Sequence, residues 1–201
     1  MNWKFPLLFT LTMAASQAWG FMTTQESNDI TPKGQFKLGF EPQMRLSDGG
    51  GANFSGFFDL PVNEEMSARA NLGSGETDFH AGGSFKWVPI PDYGNQPSLG
   101  GKVSLIHWRE SSDSFMTLRL EPIVSKKFES QNGTFIPYGA LPVMFNSGND
   151  NNKTGIQVVA GSEYRHPHAD NMTFGAELGL TAKDSFSYIS GYVTIYLEDN
   201  R

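Results

Sequence analysis

The chain contains no cysteine. That absence excludes a disulfide framework, thiol catalysis and thiolate metal sites. Beyond residue 20 no apolar run approaches the roughly 18 residues that a transmembrane helix needs. No stretch of that part of the chain shows the 3.6-residue apolar period of an amphipathic helix. A block of basic residues is also missing, and the formal charge is −6, so a nucleic-acid partner is disfavoured. Hydrophobic residues make up only 38% of the sequence. That low share suits a barrel with a polar interior, in which half of every strand faces inward.

What is present begins with a short leader pattern over residues 1–20. Lys4 supplies a basic start, Phe5 to Ala15 an apolar stretch, and Ala18-Trp19-Gly20 a small-x-small end. This is the layout of a secretory signal peptide cut after Gly20, with Ala18 as the alternative position. Removing it also removes Lys4 and leaves 181 residues with a formal charge of −7. Residues 21–33, FMTTQESNDITPK, show no periodicity and read as a flexible N-terminal lead.

From Gly34 the pattern changes to alternation with period two, interrupted by Gly, Asn, Asp, Ser and Pro. It predicts strands over 34–46, 53–61, 65–73, 78–88, 99–109, 114–126, 134–145, 154–165, 171–181 and 186–198. In the sixth, Met116, Leu118, Leu120 and Val124 oppose Thr117, Arg119, Glu121 and Ser125. Most runs last about 9–13 residues, whereas a tilted strand needs about 9–11 to cross a bilayer. Strands of soluble domains average nearer 5–6. The fold class implied for 34–201 is all-β: a closed antiparallel up-and-down β-barrel of about ten strands. Eight strands are the alternative, since merging 53–61 with 65–73 across Pro61, or demoting 134–145 for its prolines, changes the count.

The leader, the alternating segments, the Gly-rich turns and the aromatics at strand ends resemble the small Gram-negative outer-membrane β-barrel superfamily, OmpA/OmpX-like in the broad sense. Those aromatics are Trp87, Tyr93, Trp108, Phe128, Tyr138, Phe145, Tyr164, Tyr188 and Tyr196, which the resemblance assigns to interfacial girdles. It also implies an outer-membrane location and, as partners, membrane lipid and the barrel-assembly machinery. Barrels of this kind usually end on an aromatic residue; here Leu197 to Arg201 follow Tyr196.

Turning the polar faces inward gives a lumen charge network of Lys37, Glu41, Arg45, Asp59, Arg69, Lys86, Arg119, Glu121, Glu163, Arg165 and Glu177. Six bases against five acids should pair, because an unpaired buried charge is costly. The expected function is therefore a structural, adhesive or surface-interaction barrel shut by ion pairs, without enzymatic activity, cofactor or metal. Three other readings stay open: a passive pore, a soluble periplasmic barrel holding an apolar ligand, and a lipid-modifying enzyme. The last would use His107 with Ser111, Ser112, Asp113 or Ser114. His166, His168 and Asp170 have the chemistry of a metal site but read as a solvated turn. His80 reads as a lumen residue. Asn146 to Asn152 lacks the spaced carboxylates of a calcium loop.

Overall fold

The computed structural model describes residues 23–47, 50–111, 113–148, 152–169 and 171–198. The leader over 1–20, together with Ser112, Asp170 and the last three residues, lies outside the described residues. All regular structure among them is β. The strands are β1 (Gln35–Arg45), β2 (Ala52–Pro61), β3 (Met66–Gly75), β4 (Phe79–Ile90), β5 (Ser98–Glu110), β6 (Asp113–Ser125), β7 (Phe128–Ser130), β8 (Gly133–Ala140), β9 (Val143–Gly148), β10 (Lys153–Arg165), β11 (Met172–Lys183) and β12 (Tyr188–Glu198).

These segments make a closed barrel of ten staves, because β8 and β9 share one position between β6 and β10. Each stave pairs antiparallel with the next in sequence. The ring shuts where β1 meets β12, from Gln35 opposite Glu198 to Arg45 opposite Tyr188. Closure removes the unpaired edges that an open sheet leaves. β7 is a short extension that pairs only with β8.

The single run anticipated over 134–145 is thus two strands, and proline explains the break. Pro142 has no N–H for the ladder, and the chain leaves the strand at Leu141-Pro142 before resuming as β9. Two carbonyls keep the gap bonded: Leu141 N–H donates to Pro122 O at 3.2 Å, and Gln157 N–H to Pro142 O at 3.1 Å. Pro42 sits in β1 where the ladder to β12 skips from Phe40–Val193 to Gln43–Ser190.

Polarity across the wall is inverted relative to a water-soluble core. Leu38, Phe40 and Met44 face out and are 50%, 50% and 57% exposed, while Lys37, Glu41, Gln43 and Arg45 between them are buried. The same parity holds around the ring, with Leu118 and Leu120 outside and Thr117, Arg119 and Glu121 inside. A lipocalin-like carrier would turn its apolar faces inward, the reverse of the parity of these described wall residues.

Glycines let rings lie flat against the inner wall. A Cβ on Gly175 would fall 2.0 Å from Tyr192 Cζ, one on Gly161 2.3 Å from Tyr138 Cζ, and one on Gly179 2.1 Å from Tyr188 Cε1. Tyr138, Tyr188 and Trp108 are accordingly lumen residues and not the interfacial girdle residues that the resemblance implies. Trp108 instead stacks on Phe115, with ring centroids 4.1 Å apart. Trp87, Tyr93, Phe128, Phe145 and Tyr164 do face outward.

Replacing Gly175 by valine should displace the Tyr192 ring and destabilise the folded barrel by about 2 kcal/mol, as overpacking does. A lower urea midpoint in detergent measures it. An unchanged midpoint would mean that the ring moves away at no cost.

Candidate functional site: the lumen and its inserted segment

The two ends of the barrel differ. Call the entry end the one where β1 starts; among the described residues it carries 62–65, 91–97, 126–127, 166–169 and 171. At the far end lie 46–47, 50–51, 76–78, 111, 152 and 184–187.

Residues 23–31 run through the lumen, from its middle to the entry end, and every residue from Thr23 to Asn28 is buried. For residues 23–31 this corrects the flexible lead expected over 21–33. The segment lacks any period because it forms no strand or helix; its neighbours are wall side chains. An extended chain inside a barrel must find partners for its backbone groups, and these come from inward carboxylates.

Glu177 receives Thr24 N–H at 2.7 Å and Gln25 N–H at 2.9 Å. Glu163 receives Ser27 N–H at 2.8 Å and Ser27 Oγ at 3.0 Å. Asn28 Nδ2 donates to the carbonyls of Ser98 and Ile123 at 3.2 and 2.9 Å. In the other direction Lys102 Nζ donates to Thr24 O at 2.5 Å and Arg119 Nη1 to Thr23 O at 2.8 Å. Lys86 Nζ reaches Ser27 O at 2.9 Å.

Two acids of the segment lock it. Glu26 lies 2.7 Å from Lys86, 3.4 Å from Arg69 and 3.4 Å from Lys102. Asp29 bridges Lys127, at 2.9 Å, and Arg165 at the entry rim. Burial alone would raise both carboxyls, but these cations reverse it and hold them well below the usual carboxylate range. The rim itself is tied by Lys126 to Asp92 at 2.5 Å.

The wall network is also paired. Arg69 forks onto Asp59 through Nε at 2.5 Å and Nη2 at 2.8 Å, and it stacks on Phe57, 4.1 Å from the ring centroid. Arg119 Nε is 2.9 Å from Glu121. Glu177 also accepts Tyr138 Oη and Tyr188 Oη at 2.6 and 2.5 Å. Lys37 and Arg45 face the rings of Tyr196 and Phe186. Of the eleven residues read from the sequence, ten are buried inside and Arg165 is half-buried at the rim.

Sequence reasoning missed Glu26, Asp29, Lys102 and the tyrosines. Lys102 carried a usable signal, since Lys102 and Ser104 alternate with the outward Val103 and Leu105. The segment 23–31 carried none.

Toward the far end the lumen is filled by the wall. Ile106, Trp108, Met144, Phe186 and Tyr188 pack as one apolar cluster, with Phe115 against it. His80 is buried there, 3.4 Å from Ser55 Oγ. His107 Nε2 lies 3.4 Å from Ser114 Oγ on the exposed outer face. His166 and His168 share the β10–β11 turn, where His168 N–H donates to His166 Nδ1 at 3.1 Å. Among the described residues no group of three or more His, Cys, Asp or Glu side chains is placed to hold a metal.

No protein-family model matches the chain, and no curated protein does. Solved structures do. The translocator domain of autotransporter NalP from Neisseria meningitidis aligns over 85% of this chain and 90% of its own, with a TM-score of 0.54 and 12% identity. The beta domain of the Bordetella autotransporter Brka aligns over 82% and 98%, with a TM-score of 0.54 and 10% identity. These likenesses concern the fold: a closed antiparallel barrel of the outer-membrane type.

The Glu26 contacts make the stability acid-sensitive. A depressed carboxyl contributes fully above its unfolded value near 4.5 and loses the contribution as pH falls below that toward its folded value. Glu26→Gln should therefore cost about 3 kcal/mol at neutral pH, the scale for breaking a buried pair, and measurably less, though not nothing, at pH 3. Thermal unfolding of both proteins in detergent at the two pH values checks this. A gap that does not change with pH would contradict it.

Proposed function

We propose that this protein is an integral outer-membrane barrel, exported by its leader in a Gram-negative cell and closed by its own N-terminal segment. Its role is structural or surface-interacting, and its wall is not a porin-like conduit. It performs no catalysis. Its partners are outer-membrane lipid on the apolar outer face and the assembly machinery that inserts the barrel.

One observation carries this reading. Residues 23–31 occupy the bore and are bonded on opposite sides, to Glu177 and Glu163 and to Lys86, Lys102 and Arg119. A passive pore needs a continuous aqueous path, and a small barrel already fills much of its bore with side chains. Here a length of chain is added to them. The outward Leu, Phe and Val side chains provide the apolar band that a bilayer requires.

Purified wild-type protein in planar bilayers should show no conductance steps. Deleting residues 23–31 behind an intact leader, together with Trp108→Ala to thin the far-end cluster, should produce steps that Trp108→Ala alone does not. A conducting wild type would overturn the reading. A deletion variant that folds, judged by heat-modifiable gel migration, yet stays closed would place the seal in the wall and not in the segment.

A further inference from the structure

A cavity of about 390 Å³ opens at the entry end, beside Asn28, Asp29 and Ile30 of the inserted segment. That volume lies in the range of small-molecule clefts. Its mouth is held in place by backbone bonds. Val88 N–H donates to Glu65 O at 2.8 Å, which ties the β2–β3 turn to β4. Lys126 Nζ donates to Gly94 O, and Lys127 N–H to Asp92 Oδ2, each at 2.6 Å, which ties the β4–β5 connection to the rim. The cavity is therefore preformed, and a ligand entering it has little ordering to do.

The polar groups around it fall into two sets. Lys127 is bound by Asp29 and Asp92 by Lys126, and Ser125 Oγ accepts Asn28 N–H. The Ser98 hydroxyl and Asn28 Oδ1 have no partner, although their residues are only 4% and 3% exposed. A buried polar atom left so is costly unless something pairs with it. At the exposed mouth the Glu64 and Glu65 carboxylates meet no base within ion-pair distance among the described residues. An amide oxygen and a carboxylate can only accept hydrogen bonds, and a hydroxyl can accept or donate. What the cavity leaves unpaired is therefore a set of acceptors with a surplus of negative charge. The partner that satisfies it is a cation rich in N–H groups.

We propose that this cavity binds a linear aliphatic diamine in its doubly protonated form. One ammonium donates to Ser98 Oγ and Asn28 Oδ1 on the floor, and the other faces Glu64 and Glu65 at the mouth. Val88, Ile136 and Pro91 give the hydrocarbon stem an apolar lining. A metal ion suits the site less, since no three acidic side chains of the described residues come close enough to share one. The site goes beyond the reading of the barrel as plugged, and it uses only the docked position of residues 28–30.

The experiment is isothermal titration of cadaverine into the folded protein in maltoside detergent at constant ionic strength. Saturable binding of one diamine per barrel is expected. Ser98→Ala should weaken it about tenfold, the scale of a hydrogen bond to a charged donor. The same variant should keep the wild-type urea midpoint, because the hydroxyl it removes holds no bond. Glu64→Gln combined with Glu65→Gln should weaken binding about fivefold, as exposed ion pairs do. Glu129→Gln, which removes an exposed charge outside the cavity, should leave it unchanged. Pentylamine, with a single ammonium, should bind about fivefold more weakly than cadaverine. Absence of saturable binding would overturn the proposal, as would wild-type affinity in Ser98→Ala. So would equal affinity for pentylamine, or equal loss in Glu129→Gln, which would reduce the effect to general charge attraction. The plug reading fails separately, by conductance of the wild type; a non-conducting barrel that takes up no diamine keeps the plug and loses this site.

Discussion

Everything in this barrel follows from the cost of placing charge in its bore. The wall sends Lys37, Arg69, Lys86, Lys102 and Arg119 inward, together with Glu41, Asp59, Glu121, Glu163 and Glu177. A charge removed from water needs a partner and hydrogen bonds to be tolerated. The wall alone does not supply enough. Lys86 finds Glu26 at 2.7 Å, and Glu177 and Glu163 find backbone N–H groups, only because residues 23–31 enter the lumen. The segment and the wall are each incomplete without the other.

The outer face obeys the opposite rule. Its Leu, Phe, Val and Ile side chains bond with nothing polar, and closure of β1 on β12 leaves the ring without an open edge. That arrangement is stable only in an apolar surrounding. The likeness to the translocator domains of NalP and Brka concerns this architecture. The inserted segment is argued from this chain's own contacts.

Much of the wall was legible beforehand, since strand parity is a local property. Alternation in MTLRLEPIVS fixes Arg119 and Glu121 on one face wherever the strand lies. Nine of the ten staves match the alternating runs to within a few residues. The exception, β8 and β9, turned on whether Pro142 bends a strand or ends it, which depends on the carbonyls opposite. Rings were misplaced for a related reason. Tyr138 and Tyr188 sit over Gly161 and Gly179 of neighbouring strands, a cross-strand pairing that no single run displays. The segment 23–31 was illegible because its order comes entirely from distant partners, such as Glu177, more than 150 positions away in sequence.

Docking of that segment against the wall is the central claim, and the absence of cysteine makes it directly measurable. Asn28 N–H donates to Ser125 Oγ at 3.1 Å, so the two residues face each other across the entry end of the lumen. In the folded double variant Asn28→Cys with Ser125→Cys, mild oxidation should form one disulfide. Both thiols should then vanish from a maleimide titration carried out after unfolding. Two thiols that stay reactive after oxidation of a properly folded barrel would show that the segment does not rest where the structure places it.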